Sequence, residues 1–363
     1  MKKRTSLLIV LVLVFSLLIG CSSSENTEIN NDVDDDINQE DVELVDMAGR
    51  TVTIPKDVKK VFATEPVGTI ILYSLNPDKM VGWNYDLREE EKRFIPEKYH
   101  SLPNLGGAGK ESINIEEILK VDPDILVVMG KIDDALELEV EDMEEQTGKP
   151  IIVLDDNIEK LDEVYKILGK ALNEEEKSEE LALYCKETLD DVKEKKINED
   201  ERINIYYAEG PNGLETEPAG SWHGEVIDMV DGRNVAEVEE EGSKGKSEVS
   251  IEQVLEWNPD IIISWDDERG GYYSEISKDP TWSDIKAVKN GDVYEIPNKP
   301  FNWFDRPPSV NRILGVKWLG NLLYPDIYDY NMEEVVEEFY NKFYHYELSE
   351  REIDELLGNT IKH

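Results

Sequence analysis

Two stretches of the chain carry the same order of apolar and polar positions. Ile115, Ile118 and Leu119 are matched by Ile251, Val254 and Leu255, Asp122-Pro123-Asp124 by Asn258-Pro259-Asp260, and Ile125 to Val128 by Ile261 to Ser264. In each copy apolar residues at i, i+3 and i+4 predict a short helix, which a Pro-Asp stop ends before a β-branched run suited to a buried strand. A second pair, Ile70 to Val81 and Glu225 to Ala236, reads as helix, turn and strand start, and each pair follows a strand candidate, Val61 to Thr64 and Ile203 to Ala208. The order strand, helix, strand, helix, strand thus occurs twice. It predicts an α/β protein of two lobes with mainly parallel sheets. Between the copies, Glu174 to Lys196 places Leu181, Tyr184, Cys185, Leu189 and Val192 on one face, an amphipathic helix about 35 Å long that could connect the lobes.

The first residues follow another pattern. Lys2, Lys3 and Arg4 precede an apolar run from Leu7 to Ile19, too short to span a bilayer comfortably and suited to a signal peptide. Its end, Leu18-Ile19-Gly20-Cys21, resembles the lipobox of bacterial lipoproteins, which implies cleavage before Cys21 and lipidation of that cysteine. The expected location is the cell membrane, with the chain lipid-anchored on the extracytoplasmic face. Ser22 to Asp41 offers little to bury and reads as a disordered acidic tether. The expected boundaries are 1–20 signal peptide, 21–42 tether, 43–158 first lobe, 159–198 connecting helical segment and 199–363 second lobe.

Composition narrows the partners. The chain has 39 basic and 82 acidic side chains, a formal charge of -43, which argues against nucleic acid and anionic lipid as partners. The excess runs along the whole chain and reads as adaptation to salty or alkaline surroundings. Cys185 is the sole cysteine besides Cys21, so no internal disulfide is available to the mature chain.

The segment 114–128 is joined by Gly220-Ser221-Trp222-His223-Gly224-Glu225, Gly232-Arg233-Asn234-Val235, Val288 to Tyr294, and Phe304-Asp305-Arg306-Pro307-Pro308-Ser309. In these motifs and their order the chain resembles the periplasmic binding proteins for ferric siderophores, haem and cobalamin, over nearly all of its folded part. The resemblance implies two Rossmann-like lobes joined by a single long helix, with the ligand cleft between them. It also implies an ABC permease, and through it an ATPase, as partners of a monomeric receptor. Related receptors meet the permease through acidic residues on each lobe; Glu225 matches that place in the second lobe, and no counterpart stands out in the first.

Strand ends and the loops after them form the expected cleft wall. The first lobe offers Glu65, then Trp83, Asn84 and Tyr85, then a loop with Gly106, Gly107, Gly109 and Lys110. The second offers Trp222 and His223 at a helix start, and Trp303 and Arg306 before Pro307-Pro308. Aromatic faces beside cations suit a bulky anionic ligand, and the planar fork of Arg306 matches paired acceptor oxygens. Four scattered histidines make direct binding of a bare metal ion the weaker expectation, so no protein metal ligand and no resident cofactor are assigned. The expected cargo is a metal chelate, foremost a ferric siderophore, with cobalamin, haem or a small nickel or cobalt chelate as alternatives. No nucleophile elbow or phosphate-cradling glycine loop supports a secreted hydrolase-like enzyme.

Overall fold

The repeat read from the sequence is built twice in the same way. A computed structural model describes residues 41–109, 112–239 and 246–361. In the first copy Asn114 caps the helix Ile115–Val121, Asp122 ends it in the left-handed region (φ 51°), and the strand Ile125–Gly130 follows. In the second, Ser250 caps Ile251–Trp257, Asn258 ends it at φ 44°, and Ile261–Ser264 follows. Asp and Asn tolerate that conformation better than most residues, which is why they stand at both stops. The aspartate after each proline ties the strand to its neighbour. Asp124 Oδ2 accepts from the Lys59 and Lys60 amides at 2.6 and 2.8 Å, and Asp260 Oδ2 accepts from the Asn204 amide at 3.0 Å.

The strands, in chain order, are β1 (Asp41–Val45), β2 (Thr51–Pro55), β3 (Val61–Ala63), β4 (Ile125–Gly130), β5 (Ile151–Asp155), β6 (Asn204–Ala208), β7 (Glu215–Thr216), β8 (Arg233–Asn234), β9 (Ser247–Glu248), β10 (Ile261–Ser264) and β11 (Val293–Glu295). A parallel sheet β3-β4-β5 forms the first lobe, and a parallel sheet β11-β10-β6-β8 the second. Alternation along these strands sends side chains to two sides. Val127, Ile152, Tyr207 and Ile263 enter one large core common to both lobes; Leu126 and Val128 face a core of the first lobe, and Tyr206 and Ile262 a core of the second. Sheets covered on both faces account for the near-continuous apolar runs.

Asp41 and Val42, assigned to the tether, are the first residues of β1, which pairs with β2 as an antiparallel hairpin. The turn of that hairpin docks on β5: Asp46 Oδ2 accepts from the Val153 amide at 3.2 Å, and the Arg50 guanidinium donates to the Ile151 carbonyl at 2.6 Å. The rest of the tether, the signal peptide and Cys21 lie outside the described residues.

The connecting helix spans Glu175–Glu194 and is preceded by a second helix, Leu161–Leu172, packed along it. Glu174, at its start, accepts from Asn76 of the first lobe, and beyond its end the Ile197 amide donates to Asp231 of the second. The C-terminal residues do not stay with the second lobe as expected. Tyr73 Oη donates to the Tyr344 carbonyl at 2.7 Å, His345 Nε2 stands 2.8 Å from the Tyr73 carbonyl, and Arg93 pairs with Glu355 at 2.9 Å. Apolar Phe339, Tyr340 and Phe343, all buried, complete the common core there. Among the described residues no helix is long and apolar enough to cross a membrane.

Candidate functional site

A cleft of about 600 Å³ opens between the lobes where the strands of both sheets end. The first lobe contributes Pro66, Tyr85, Arg88 and the turn at Ala108 and Gly109; the second contributes His223, Trp265, Arg269 and Arg306. Three guanidiniums therefore face one cavity in a strongly acidic chain.

Each is held differently. Arg88 is exposed, and its amide donates to Glu91 Oε2 at 2.8 Å while Tyr85 Oη donates to Glu91 Oε1 at 3.2 Å, which fixes that loop. Arg269 donates to Asn298 Oδ1 at 3.1 Å and to the Arg306 carbonyl at 3.2 Å. Burial, and then Arg88 across the cleft, depress its pKa. Among the described residues neither Arg88 nor Arg269 has a carboxylate within 4.0 Å of its guanidinium. Arg306 sits on a pedestal of buried acids instead: its Nη2 contacts Glu217, and its Nε lies 3.4 Å from both Glu209 and Asp305. Those carboxylates outweigh the burial that opposes its charge and hold its pKa above the usual arginine value.

The pedestal extends outward. Tyr207 Oη donates to Asp305 Oδ1 at 2.8 Å and receives the Trp265 indole N–H at 2.5 Å, so the cleft-facing indole is keyed to the buried acids. His223 Nδ1 stands 3.4 Å from Asp305 Oδ2, and its Nε2 3.5 Å from Arg306 Nη1. Lys246 lies 3.9 Å from the centre of the Trp265 ring and 3.6 Å from Glu209. Burial pushes the Glu209 carboxyl well above the ordinary range. One ligand atom each from Glu217, His223 and Asp305 falls within 4.8 Å of the others, a donor set of one imidazole and two carboxylates that the sequence reading did not assign.

The predicted residues divide sharply. Tyr85, His223 and Arg306 line the cleft. Trp83 does not: it is 2% exposed, donates to the Tyr99 carbonyl at 2.9 Å, and packs on Tyr73. Its amide and carbonyl pair with Pro103 and Leu105, which turns the ring into the core. Asn84 is also buried, donating to the carbonyls of Ala63 and Gly106 and accepting from Thr69 Oγ1, so it joins two loops and offers nothing to a ligand. Trp303 is fully buried beneath the helix Asn311–Leu323, where a Cβ on Gly315 would stand 2.0 Å from the Trp303 carbonyl oxygen. Trp222 is 42% exposed but turns away from the cleft, 5.8 Å from the Arg312 guanidinium. Glu225 pairs with Arg312 at 2.6 Å, and Arg312 also donates to the Asp156 carbonyl of the first lobe. Lys110 and Cys21 lie outside the described residues.

Arg88, Arg269 and Trp265 were missed. Trp265 and Arg269 follow directly from β10, the strand of the second repeat, so the strand-end rule pointed to them; the acidic run Asp266-Asp267-Glu268 disguised the arginine. Arg88 was hidden likewise before Glu89-Glu90-Glu91.

Residues 61–300 match the family described as periplasmic binding protein. The chain is 25% identical to the molybdate-binding protein MolA of Haemophilus influenzae, over 83% of this chain and 90% of that one. It is also 25% identical to the uncharacterized ABC transporter substrate-binding lipoprotein YvrC of Bacillus subtilis, over 90% of this chain and 99% of that one. Among solved structures, an ABC transporter solute-binding protein from Sulfurospirillum deleyianum superposes with a TM-score of 0.80 at 30% identity, over 87% of this chain and 99% of that one. The family and these relatives are solute-binding proteins, not enzymes.

Proposed function

This chain belongs to the periplasmic binding protein family, and from that membership we propose that it is the lipid-anchored solute receptor of an ABC importer, capturing an anionic metal complex. The observation that carries the reading of the cargo is the convergence of Arg88, Arg269 and Arg306 on one cleft. Among the described residues neither Arg88 nor Arg269 has a carboxylate within 4.0 Å of its guanidinium; Arg269, the buried one of the two, is answered only at longer range by Glu91 and Asp266, and a guanidinium so placed is costly to hold. A ligand with several anionic oxygens supplies the missing charge to both lobes at once. Within the siderophore class this favours chelates bearing catecholate or carboxylate oxygens over neutral hydroxamate chelates. Haem fits less well, because Tyr85 and Trp265 are the only large aromatic side chains among the described residues of the cleft wall.

A second reading is a metal oxyanion such as molybdate, which the relative named molybdate-binding favours. It also meets the arginines, but leaves most of the cavity to water.

Glu225 is the proposed permease contact on the second lobe. Its internal partner Arg312 would have to share it with a basic residue of the permease, so Glu225→Gln is expected to lower uptake without changing ligand affinity.

Titration of the full chain in detergent micelles with ferric catecholate, citrate and hydroxamate complexes, haem and molybdate tests the cargo, read by quenching of tryptophan fluorescence, to which Trp265 on the cleft wall contributes. Tightest binding by a catecholate or citrate complex supports the first reading, and tightest binding by molybdate the second. Preference for the neutral hydroxamate complex or for haem would sink both.

A further inference from the structure

Beneath the cleft the pedestal packs three carboxyl groups against Arg306. Glu209, Glu217 and Asp305 all have fully buried side chains, and each lies within 4.0 Å of the Arg306 guanidinium. Lys246 reaches Glu209 only from 3.6 Å. Among the described residues Glu209 Oε2 and Asp305 Oδ2 accept no hydrogen bond, and His223 Nδ1 makes none although it faces Asp305 Oδ2. Buried oxygens are rarely left so unless another group is meant to meet them.

Three of these residues converge. One donor atom each from Glu217, His223 and Asp305 lies within 4.8 Å of the other two. A sphere of that size admits one metal ion with ordinary ligand distances after small side-chain shifts. An imidazole nitrogen with two carboxylates suits borderline divalent ions such as cobalt, nickel or zinc. The group now answering these donors is Arg306, whose side chain is 23% exposed and borders the open cleft.

We propose that Glu217, His223 and Asp305 form a direct binding site for a divalent transition-metal ion, which Arg306 occupies in the metal-free chain. The inference rests on the reading of the cargo as a metal complex and names the protein atoms that would touch its metal. On metal entry Arg306 swings into the cleft, where its charge meets the anionic part of the cargo. Metal and guanidinium thus compete for the same oxygens, and metal binding makes the cleft more positive.

The test is titration of the full chain in detergent micelles with cobalt(II) chloride alone, followed by visible ligand-field absorption and by thermal unfolding. Saturable bands are expected in the parent chain, and they should vanish in His223→Ala and weaken in Asp305→Asn. Arg306→Gln, which removes the competitor, is expected to bind cobalt at least about tenfold more tightly while binding an anionic chelate more weakly. Opposite signs in one variant are not what general damage to the fold would give. If Arg306→Gln folds poorly without metal, a cobalt-dependent rise in its Tm reports the same site. Cobalt binding that is absent, or that is indifferent to His223→Ala and Arg306→Gln, would belong to surface carboxylates and overturn the proposal. Chelate titrations in the same samples separate the two readings: chelates that bind without cobalt binding defeat only this site, and cobalt binding without any chelate defeats only the cargo.

Discussion

Arg269→Met offers the cleanest measure of what the cleft is for. The substitution removes a guanidinium that donates to Asn298 Oδ1 and to the Arg306 carbonyl, and among the described residues it breaks no ion pair within 4.0 Å, Glu91 and Asp266 feeling its charge only at longer range. Arg306 would be a poorer choice, because its loss leaves Glu209, Glu217 and Asp305 buried without their cation. A hydrogen bond to a charged group contributes about 1.5–3 kcal/mol, so losing one grip on an anionic ligand should weaken Kd by roughly 10- to 150-fold. Stability should move the other way or not at all. The free chain spends energy keeping this charge in place, as its depressed pKa from burial and from Arg88 indicates. Calorimetric titration with the tightest chelate, paired with thermal unfolding of the ligand-free chain, reads both quantities. Weaker binding with an unchanged or higher Tm is expected. An affinity within twofold of the parent, or a loss of affinity matched by a fall in Tm, would refute the view that Arg269 is held for the ligand.

Gly315→Ala places a Cβ against the Trp303 carbonyl oxygen; overpacking of this kind costs about 1–3 kcal/mol, to be read as a lower midpoint in urea. Burial pushes the Glu65 carboxyl from its ordinary 4.5 up to about 7. The folded chain therefore binds that proton more tightly than the unfolded one, and stability should fall as pH rises from 4.5 to 7. Glu65→Gln should flatten this slope in chemical denaturation, and an unchanged slope would show that other groups set it. Cys21→Ser should release the chain from the membrane fraction into the medium or periplasm, as blotting of fractionated cells would show.

The fold was legible where the repeat was. The Pro-Asp stops at Pro123-Asp124 and Pro259-Asp260 mark the same joint in both lobes, and the buried strands after them follow from β-branched runs alone. The return of the C-terminal chain to Tyr73 was not legible, because it depends on packing between residues some 270 positions apart. In the site, residues within one loop were harder to sort than loops were to find. Trp83, Asn84 and Tyr85 are consecutive, yet only Tyr85 reaches the cleft, since backbone pairing of Trp83 with Pro103 and Leu105 decides which way each side chain turns. Asn84, a polar residue, is buried because three specific partners satisfy it, which no local pattern announces. The donor trio Glu217, His223 and Asp305 was invisible as spacing, because its last member comes from another loop far along the chain.

The core common to both sheets bears on how the molecule comes apart. Ala63, Ile71 and Leu154 from one lobe pack in the same apolar cluster as Tyr207, Ile263 and Phe304 from the other, with Tyr344 from the C-terminal helices among them. Although the sequence carries a duplicated plan and each sheet has an apolar core of its own on one side, the other side of both is covered only in the shared cluster. Either half expressed alone would present half a core to water and is expected to be insoluble, while the intact chain should melt in a single cooperative step whose midpoint the bound cargo raises for both lobes together.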